Sequence, residues 1–361
     1  MSIPALVDPA PGLSEAERVR AARHLSLAPM GELGQRRLAA ARVAIIGAGG
    51  LGSPTILALA AAGVGTLVVI DDDVVETSNL QRQIIHRGTD VGARKTLSAA
   101  RVAADLAPET TVIAVNERLT AGNAWELLAG VHLVIDGSDT FETRSAVAAA
   151  TEDLGVPLVW GAVQEFDAQV TVFWSAPPPG HKPVRLGDLY PPGQIAPSCA
   201  EVGVLGALCL QVGALLATEA IKLITGIGEP LLGRLLLIDS RRARQTEIAI
   251  GPSRARSTPE PEPTPTAPEQ LSPVQLLDAA AAGAVLLDVR EPRETAAGIV
   301  PGSVLIPLAA LLADPSTAGP GPFLVVCQHG IRAQRAAAAL IANGQDATVL
   351  AGGYAAWAGI A

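Results

Sequence analysis

Aromatic and sulfur-bearing residues are scarce: 4 Phe, 4 Trp, 2 Tyr, 3 Cys and 2 Met among 361 residues. Any core must therefore be built from aliphatic side chains. Three cysteines without paired spacing exclude a disulfide-framed secreted fold and fit a reducing, cytoplasmic setting. Positive charge is also in short supply. The 26 Lys and Arg against 35 Asp and Glu leave a formal charge of −9, which argues against nucleic-acid or anionic-membrane binding. Long apolar runs are missing: Val202–Leu216 is interrupted by Gly203, Gly206 and Gln211 and stops short of the ~20 residues that span a bilayer. A buried helix is expected there. Ser2–Glu15 has no apolar segment, so no secretory leader is expected.

What the chain does have is alternation. Residues 1–250 read as strand, helix, strand in turn. Strands are expected at Arg42–Ile46, Thr66–Ile70, Thr111–Asn116, Leu133–Asp136, Pro157–Gly161, Ala168–Trp174 and Arg234–Asp239. Helices are expected at Ser53–Ala62, Lys95–Leu106 and Gly203–Ile224. This β-α-β order predicts an α/β fold with a mostly parallel sheet covered by helices. Residues 251–270 carry the run Ser-Thr-Pro-Glu-Pro-Glu-Pro-Thr-Pro-Thr. Such a run sustains neither helix nor ladder, and it reads as an extended linker. Residues 271–361 then form a second, smaller α/β domain. Its expected elements are a helix at Pro273–Ala281, strands at Val285–Val289, Phe323–Val326 and Ala347–Leu350, and a helix at Ile331–Ala342.

The first strand empties into Gly47-Ala-Gly49-Gly50-Leu-Gly52, which opens a helix. Glycines there permit a tight turn and let backbone N–H groups approach a phosphate at the helix N-terminus. Asp71 ends the next strand, where a carboxylate can accept ribose hydroxyls. The glycine motif alone fits an NAD enzyme and an ATP enzyme equally. The following segment favours a triphosphate. Asp71-Asp-Asp73 leads to Asn79-Leu-Gln-Arg82-Gln83 and then Lys95, and the two cations can balance polyphosphate charge. Asp136-Gly-Ser-Asp139 lies at the end of the fourth strand, where open α/β sheets bind ligands, and a carboxylate there could hold Mg2+ on phosphate oxygens.

In the second domain an apolar strand delivers Cys327 into the short loop Cys327-Gln-His-Gly330-Ile-Arg332. Backbone N–H groups and a guanidinium favour an anionic sulfur. Arg332 is expected to anchor the loop or orient a sulfur donor. His329 reads as a residue of the loop rim. Cys209, inside the apolar helix, reads as core packing.

Arg23-His-x-x-Leu, Gly47–Gly52, Asp71, Asn79–Gln83, Lys95 and Asp139 together resemble the ThiF/MoeB family, relatives of ubiquitin-activating enzymes. The likeness runs over nearly all of Arg20–Glu247. It implies a Rossmann-like ubiquitin-activating-type domain that adenylates the C-terminal glycine of a ubiquitin-like carrier. By this resemblance Gly47, Gly49, Gly50 and Gly52 cradle ATP, Asp71 takes the ribose, and Asn79, Arg82 and Lys95 take phosphates. Asp73 and Gln83 belong to the same nucleotide site. Asp139 takes Mg2+, and Arg23 reaches into a partner subunit's site, which implies a homodimer. Cys199, in Pro197-Ser-Cys199-Ala-Glu, stands where the family carries a cysteine on a loop above the adenylate. Many members bind structural zinc through two Cys-x-x-Cys pairs. Gly180–Tyr190 and Thr246–Ser253 have no cysteine, and no zinc is expected. Thr140 replaces the Asn common after the metal-binding Asp.

Leu287-Asp-Val-Arg290-Glu, Gly298-Ile-Val-Pro301-Gly and Gly352-Gly-Tyr-Ala-Ala-Trp357 resemble a single-domain rhodanese, with Ile299 where a His is usual. The order adenylation domain, Pro-rich linker, rhodanese resembles the adenylyltransferase–sulfurtransferase fusions of the MoeZ type. The resemblance implies two steps: adenylation of a carrier ending in Gly-Gly (MoaD, ThiS or CysO type), then attack by a Cys327 persulfide to give a thiocarboxylate. Thiosulfate or a persulfide-bearing desulfurase would supply the sulfur, and such chemistry serves molybdenum cofactor, thiamin, cysteine and tRNA thiolation pathways. Three other readings stay open: a conjugation activator forming a Cys199 thioester, an NAD-dependent oxidoreductase, and a scaffold with an inactive rhodanese.

Overall fold

The structure is a computed structural model that describes residues 3–190, 203–251, 270–272, 275, 283–296, 298–328 and 330–358. The chain divides into two compact units, Met1–Arg254 and Ala255–Ala361.

The first unit is organised by one eight-stranded sheet. In chain order its strands are β1 (Arg42–Ile46), β2 (Thr66–Ile70), β3 (Thr111–Val115), β4 (Leu133–Asp136), β5 (Leu158–Gln164), β6 (Asp167–Phe173), β7 (Arg234–Asp239) and β8 (Arg244–Ala249). Their spatial order is β3-β2-β1-β4-β5-β6-β7-β8. The first five are parallel, in the register Ile46↔Ile70 and Ile46↔Asp136, and β6 to β8 continue antiparallel. The central strands β1, β2 and β4 are apolar on both faces because helices cover both, which is why they read as unbroken Val/Ile/Leu runs. The strand order reverses direction between β1 and β4. Crossovers run to opposite sides there and leave a crevice at the strands' carboxyl ends.

Two helices pack directly behind that crevice. Gly52–Ala61 follows the glycine loop, and Gly206–Thr225 lies against it and against β5 and β6. A Cβ on Gly52 would collide with the Gly47 carbonyl oxygen, and one on Gly213 with Pro54 of the facing helix, so both glycines permit close backbone approach. The 20-residue helix Gly206–Thr225 falls close to the expected Gly203–Ile224, but, against the reading of the interrupted run as too short, it is long and apolar enough to cross a membrane by length and composition. Its buried face carries Leu208, Val212, Leu216, Ala220 and Leu223 into the aliphatic core shared with β1 and β5. On the same helix, buried Glu219 accepts the Leu231 N–H at 2.7 Å and pairs with Lys222.

Several elements escaped sequence reading, among them the helices Gly31–Ala40 and Phe141–Leu154 and strand β8. The helix Phe141–Leu154 is capped by the Thr140 hydroxyl, which accepts the Thr143 N–H, and is closed by Gly155 in the left-handed region. Strand β8 is exposed along its whole length, so no hydrophobic alternation marks it. The segment Gly180–Tyr190 is tied down by paired backbone bonds between Trp174 and Val184, by the Tyr190 hydroxyl donating to Gln169 at 2.6 Å, and by Tyr190 packing edge-on against Trp160.

The second unit holds a five-stranded parallel sheet in the order β11-β10-β12-β13-β9. These strands are β9 (Gln270–Leu271), β10 (Val285–Asp288), β11 (Val304–Leu305), β12 (Phe323–Val326) and β13 (Ala347–Leu350). Gln270, assigned to the linker by composition, is the first residue of β9, because its backbone pairs with Val349. The rest of the expected linker, 252–269, lies outside the described residues, as does nearly all of the expected helix Pro273–Ala281. The helix Ile331–Ala342 packs Ala333, Ala336, Ala337 and Leu340 against the sheet, small side chains that let it sit close.

Candidate functional sites

In the first unit the crevice opens into a cavity of about 170 Å³ at the carboxyl ends of β1, β2 and β4. Gly47, Gly49, Gly50, Asp71, Asp73, Arg82, Gln83, Lys95 and Asp139 all line it, residues drawn from five separate segments of the sequence.

The glycine loop is fixed from beneath. Asp71 is buried and accepts two N–H groups: Ala48 on Oδ2 at 2.7 Å and Asp73 on Oδ1 at 2.9 Å. Burial pushes the Asp71 carboxyl above its ordinary value, while nearby Lys95 and the two N–H donors pull the other way. Gly47 has φ +86°, a conformation that glycine adopts without strain. Lys95 is 5% exposed, and its Nζ donates to Asp73 Oδ2 at 2.8 Å. Burying an ammonium requires a partner. Arg82 is half-buried and donates to the Ser78 carbonyl at 3.1 Å.

The remaining sequence-named residues are placed differently. Asn79 is buried but does not line the cavity; its Oδ1 accepts the Glu76 N–H at 3.1 Å and closes the turn that carries Arg82. Gly52 supports the loop from the first turn of its helix and likewise does not line the cavity. Arg23 is exposed on the short helix Ala22–Leu25, away from the cavity of its own chain. Cys199 lies outside the described residues. Asp139 is exposed at the cavity rim and has no hydrogen bond or ion pair among the described residues. Among those residues no group of three or more His, Cys, Asp or Glu is gathered to hold a metal ion.

Sequence reasoning missed two cationic cavity residues, Arg144 and Arg118, and the double role of Cys209. Arg144, in the helix Phe141–Leu154, donates to the Ser138 carbonyl through Nε at 3.2 Å and Nη2 at 3.0 Å, and its guanidinium lies 5.6 Å from the Trp160 ring centroid. It also faces Asp136, which is fully buried and whose carboxyl is pushed upward by that burial. Arg144 thereby holds the loop that ends in Asp139. The signal for it was Thr140 as a helix N-cap, which puts Arg144 in the first turn. Arg118 reaches the rim through its ion pair with Asp72 at 3.1 Å. Cys209 is core, as expected, but it is also cavity wall: a Cβ on Gly50 would stand 3.2 Å from its Sγ.

A second cavity, lined mostly by β5 to β8, shares Asp139, Arg144 and Val163 with the first. It is floored by Ala168, Leu237 and Ile238 and bordered by Tyr190.

In the second unit β12 delivers Cys327 to the start of a tight loop, 2% exposed. Its Sγ accepts the Gly330 N–H at 3.1 Å. Gly330 has φ +98° and begins the helix Ile331–Ala342. The helix Gly353–Ala358 grips the loop from the other side. The Tyr354 N–H donates to the Cys327 carbonyl at 2.7 Å, and the Ala355 N–H donates to the Gln328 carbonyl at 3.1 Å. A Cβ on Gly353 would collide with the Cys327 carbonyl oxygen. Arg332 forms a bidentate pair with Glu294, at 2.7 and 2.6 Å. The guanidinium beside it holds the Glu294 carboxyl down at about 2. The pair ties Arg332 to the short helix Pro292–Thr295. Buried Arg290 forms a second clamp. It binds both Asp288 oxygens, donates to Gln328 Oε1 at 3.1 Å and to the Gly298 carbonyl at 2.9 Å, and lies 4.0 Å from the Tyr354 ring centroid. His329 lies outside the described residues.

These observations define a class: an α/β unit with an anion-cradling glycine loop at its topological switch point, and a sulfur-bearing loop on a second small α/β unit. The ThiF family matches residues 21–259 and the rhodanese-like domain family matches residues 272–360; the chain belongs to the ThiF family and carries a rhodanese-like domain. It is 42% identical over 390 residues to the probable adenylyltransferase/sulfurtransferase MoeZ of Mycobacterium tuberculosis, covering 99% of this chain and 97% of that one. It is 44% identical over 239 residues to the sulfur carrier protein adenylyltransferase of Thermus thermophilus, covering 63% and 85%. Among solved structures, Escherichia coli MccB with MccA-N7isoASN superposes with a TM-score of 0.58 at 20% identity, over 68% of this chain and 75% of that one, a likeness of fold.

Proposed function

We propose that the protein activates the C-terminal carboxylate of a ubiquitin-like sulfur carrier ending in Gly-Gly and converts it to a thiocarboxylate. In the first step a carrier carboxylate oxygen attacks the α-phosphorus of ATP, and pyrophosphate leaves. The carboxylate is already anionic, so no general base is needed. Catalysis rests on holding the two anions together and neutralising their charge. The amides of Gly49 and Gly50 face the polyphosphate, Lys95 and Arg82 supply positive charge, and Asp71 takes the ribose. Asp139, an exposed carboxylate at the rim without a protein partner among the described residues, fits a hard cation. Mg2+ held there would offset phosphate charge. Arg23 is exposed and does not line its own chain's cavity, which is compatible with a homodimer in which it completes the partner's site.

In the second step the terminal sulfur of a Cys327 persulfide attacks the carrier's acyl carbon, and AMP leaves with the bonding pair. The product is an acyl disulfide linking Cys327 to the carrier. A thiol, either Cys199 or one from solution, attacks the Cys327 sulfur and releases the carrier thiocarboxylate. A second thiol then reduces the resulting disulfide. Thiosulfate or a persulfide-bearing desulfurase reloads Cys327. Carrying both sites on one chain raises their effective concentration.

The observation that carries this reading is the coexistence of the two sites in one chain, over whose whole length a relative bears the name of both activities. Two variants test it. Cys327→Ala is expected to retain carrier-dependent ATP–pyrophosphate exchange and to form no thiocarboxylate. Asp139→Ala is expected to lose exchange and retain thiosulfate:cyanide sulfurtransfer. Loss of both activities in either folded variant contradicts the two-step assignment.

A further inference from the structure

The peptide between Ala48 and Gly49 has its orientation set by side chains outside the glycine loop. Its carbonyl accepts two hydrogen bonds from below, from His86 Nε2 at 3.1 Å and from Ser53 Oγ at 3.1 Å. A trans peptide points its N–H opposite to its C=O. Drawing the Ala48 carbonyl inward therefore turns the Gly49 N–H outward, and Gly49 lines the cavity. The preceding peptide is fixed as well, because the Ala48 N–H donates to Asp71. The Gly49 N–H itself finds no acceptor among the described residues.

We infer that His86 is a positioning residue of the nucleotide site, locking the Ala48–Gly49 peptide so that the Gly49 N–H is presented to the polyphosphate. The inference rests on the nucleotide reading of this cavity. His86 closes the segment Asn79-Leu-Gln-Arg-Gln-Ile-Ile-His86, so the segment that supplies Arg82 to the rim also braces the loop from behind. The imidazole is 7% exposed, and its Nδ1 is buried with no hydrogen-bond partner among the described residues. The bond to Ala48 is thus what fixes the ring, and it requires the tautomer with the proton on Nε2. Burial, reinforced by Lys95 and Arg101, lowers the affinity of the ring for a second proton, while the bond to the Ala48 carbonyl and, less strongly, Asp90 oppose this.

A flipped peptide would cost the site one preorganised donor and set a carbonyl dipole against the phosphates, while leaving the rest of the cavity intact. The effect is therefore phosphate-specific. The test compares ATP and adenosine binding by calorimetry in the full-length protein and its variants. His86→Leu removes the donor and is expected to weaken ATP about tenfold, ~1.4 kcal/mol, with adenosine affinity unchanged. His86→Gln, whose amide reaches the carbonyl, is expected to restore ATP affinity to within about threefold of wild type. Should His86→Leu not fold, His86→Asn carries the same expectation, because its amide is polar but too short. Equal loss of ATP and adenosine, or ATP affinity unchanged in a folded Leu or Asn variant, would overturn the inference. A wild-type protein that binds no ATP would instead overturn the nucleotide reading beneath it.

Discussion

The two sites are built on one plan and put it to opposite uses. In each, a buried parallel strand ends in a glycine-containing turn, and backbone N–H groups are collected where a helix begins. In the first unit the turn is braced from below by Asp71, His86 and Ser53, and its upper surface is an open cavity. In the second the turn is clamped on both sides, by Arg332–Glu294 and by the Arg290 network, and its sulfur is almost fully enclosed. An anion that arrives from solution and leaves again needs room. One that stays covalently attached needs only a donor, here the Gly330 N–H at 3.1 Å. The difference between binding and carrying an anion is thus written in what surrounds the turn.

Substitutions at either site separate the two chemistries. The largest effect is expected from Lys95→Ala, which removes the buried cation of the open site. ATP–pyrophosphate exchange should fall by at least about 100-fold, with thiosulfate:cyanide sulfurtransfer unchanged. A matching loss of sulfurtransfer would mean that the two sites do not work as separate chemistries. A smaller effect is expected from Gly353→Ala, where a methyl group would meet the Cys327 carbonyl at a residue with φ +63°. Sulfurtransfer should fall about tenfold, given the ~1–3 kcal/mol cost of local strain, while exchange measured in parallel holds at the wild-type rate. The smallest is expected from Glu294→Gln, which breaks a half-exposed ion pair and should cost the second unit about 1 kcal/mol at pH 7. The sign with pH follows from the lowered value. Glu294 titrates near 4.5 when unfolded and about 2 when folded, so its contribution is complete above about pH 4.5 and vanishes as pH falls toward 2. Wild type and Glu294→Gln should therefore converge in thermal stability in strong acid; curves that stay parallel would show that the pair contributes little.

Much of this was legible in the sequence, for a physical reason. The glycine turn, Asp71, Lys95 and Cys327 all sit at strand ends or helix starts, and buried parallel strands announce themselves as short aliphatic runs. What stayed hidden depends on tertiary approach. Arg144 lies on a helix without a strong apolar stripe, and His86 acts through a carbonyl 38 residues away in the sequence. Glu294 matters only because Arg332 folds back onto it. Strand β8, exposed throughout, gives no alternation to read. Cys209 looked like packing because a buried thiol in a helix and the wall of a cavity have the same sequence signature.

In the proposed reaction, a sulfur carried by Cys327 reaches a carboxylate activated at the other site. A single-turnover transfer measures it directly. Protein carrying a radiolabelled persulfide on Cys327 is mixed with a Gly-Gly-ended carrier, with and without ATP, and the label on the carrier terminus is counted. Transfer that occurs only with ATP and disappears in Lys95→Ala is the predicted result. Thiocarboxylate formed from unlabelled sulfur, with the label still on Cys327, would contradict the account.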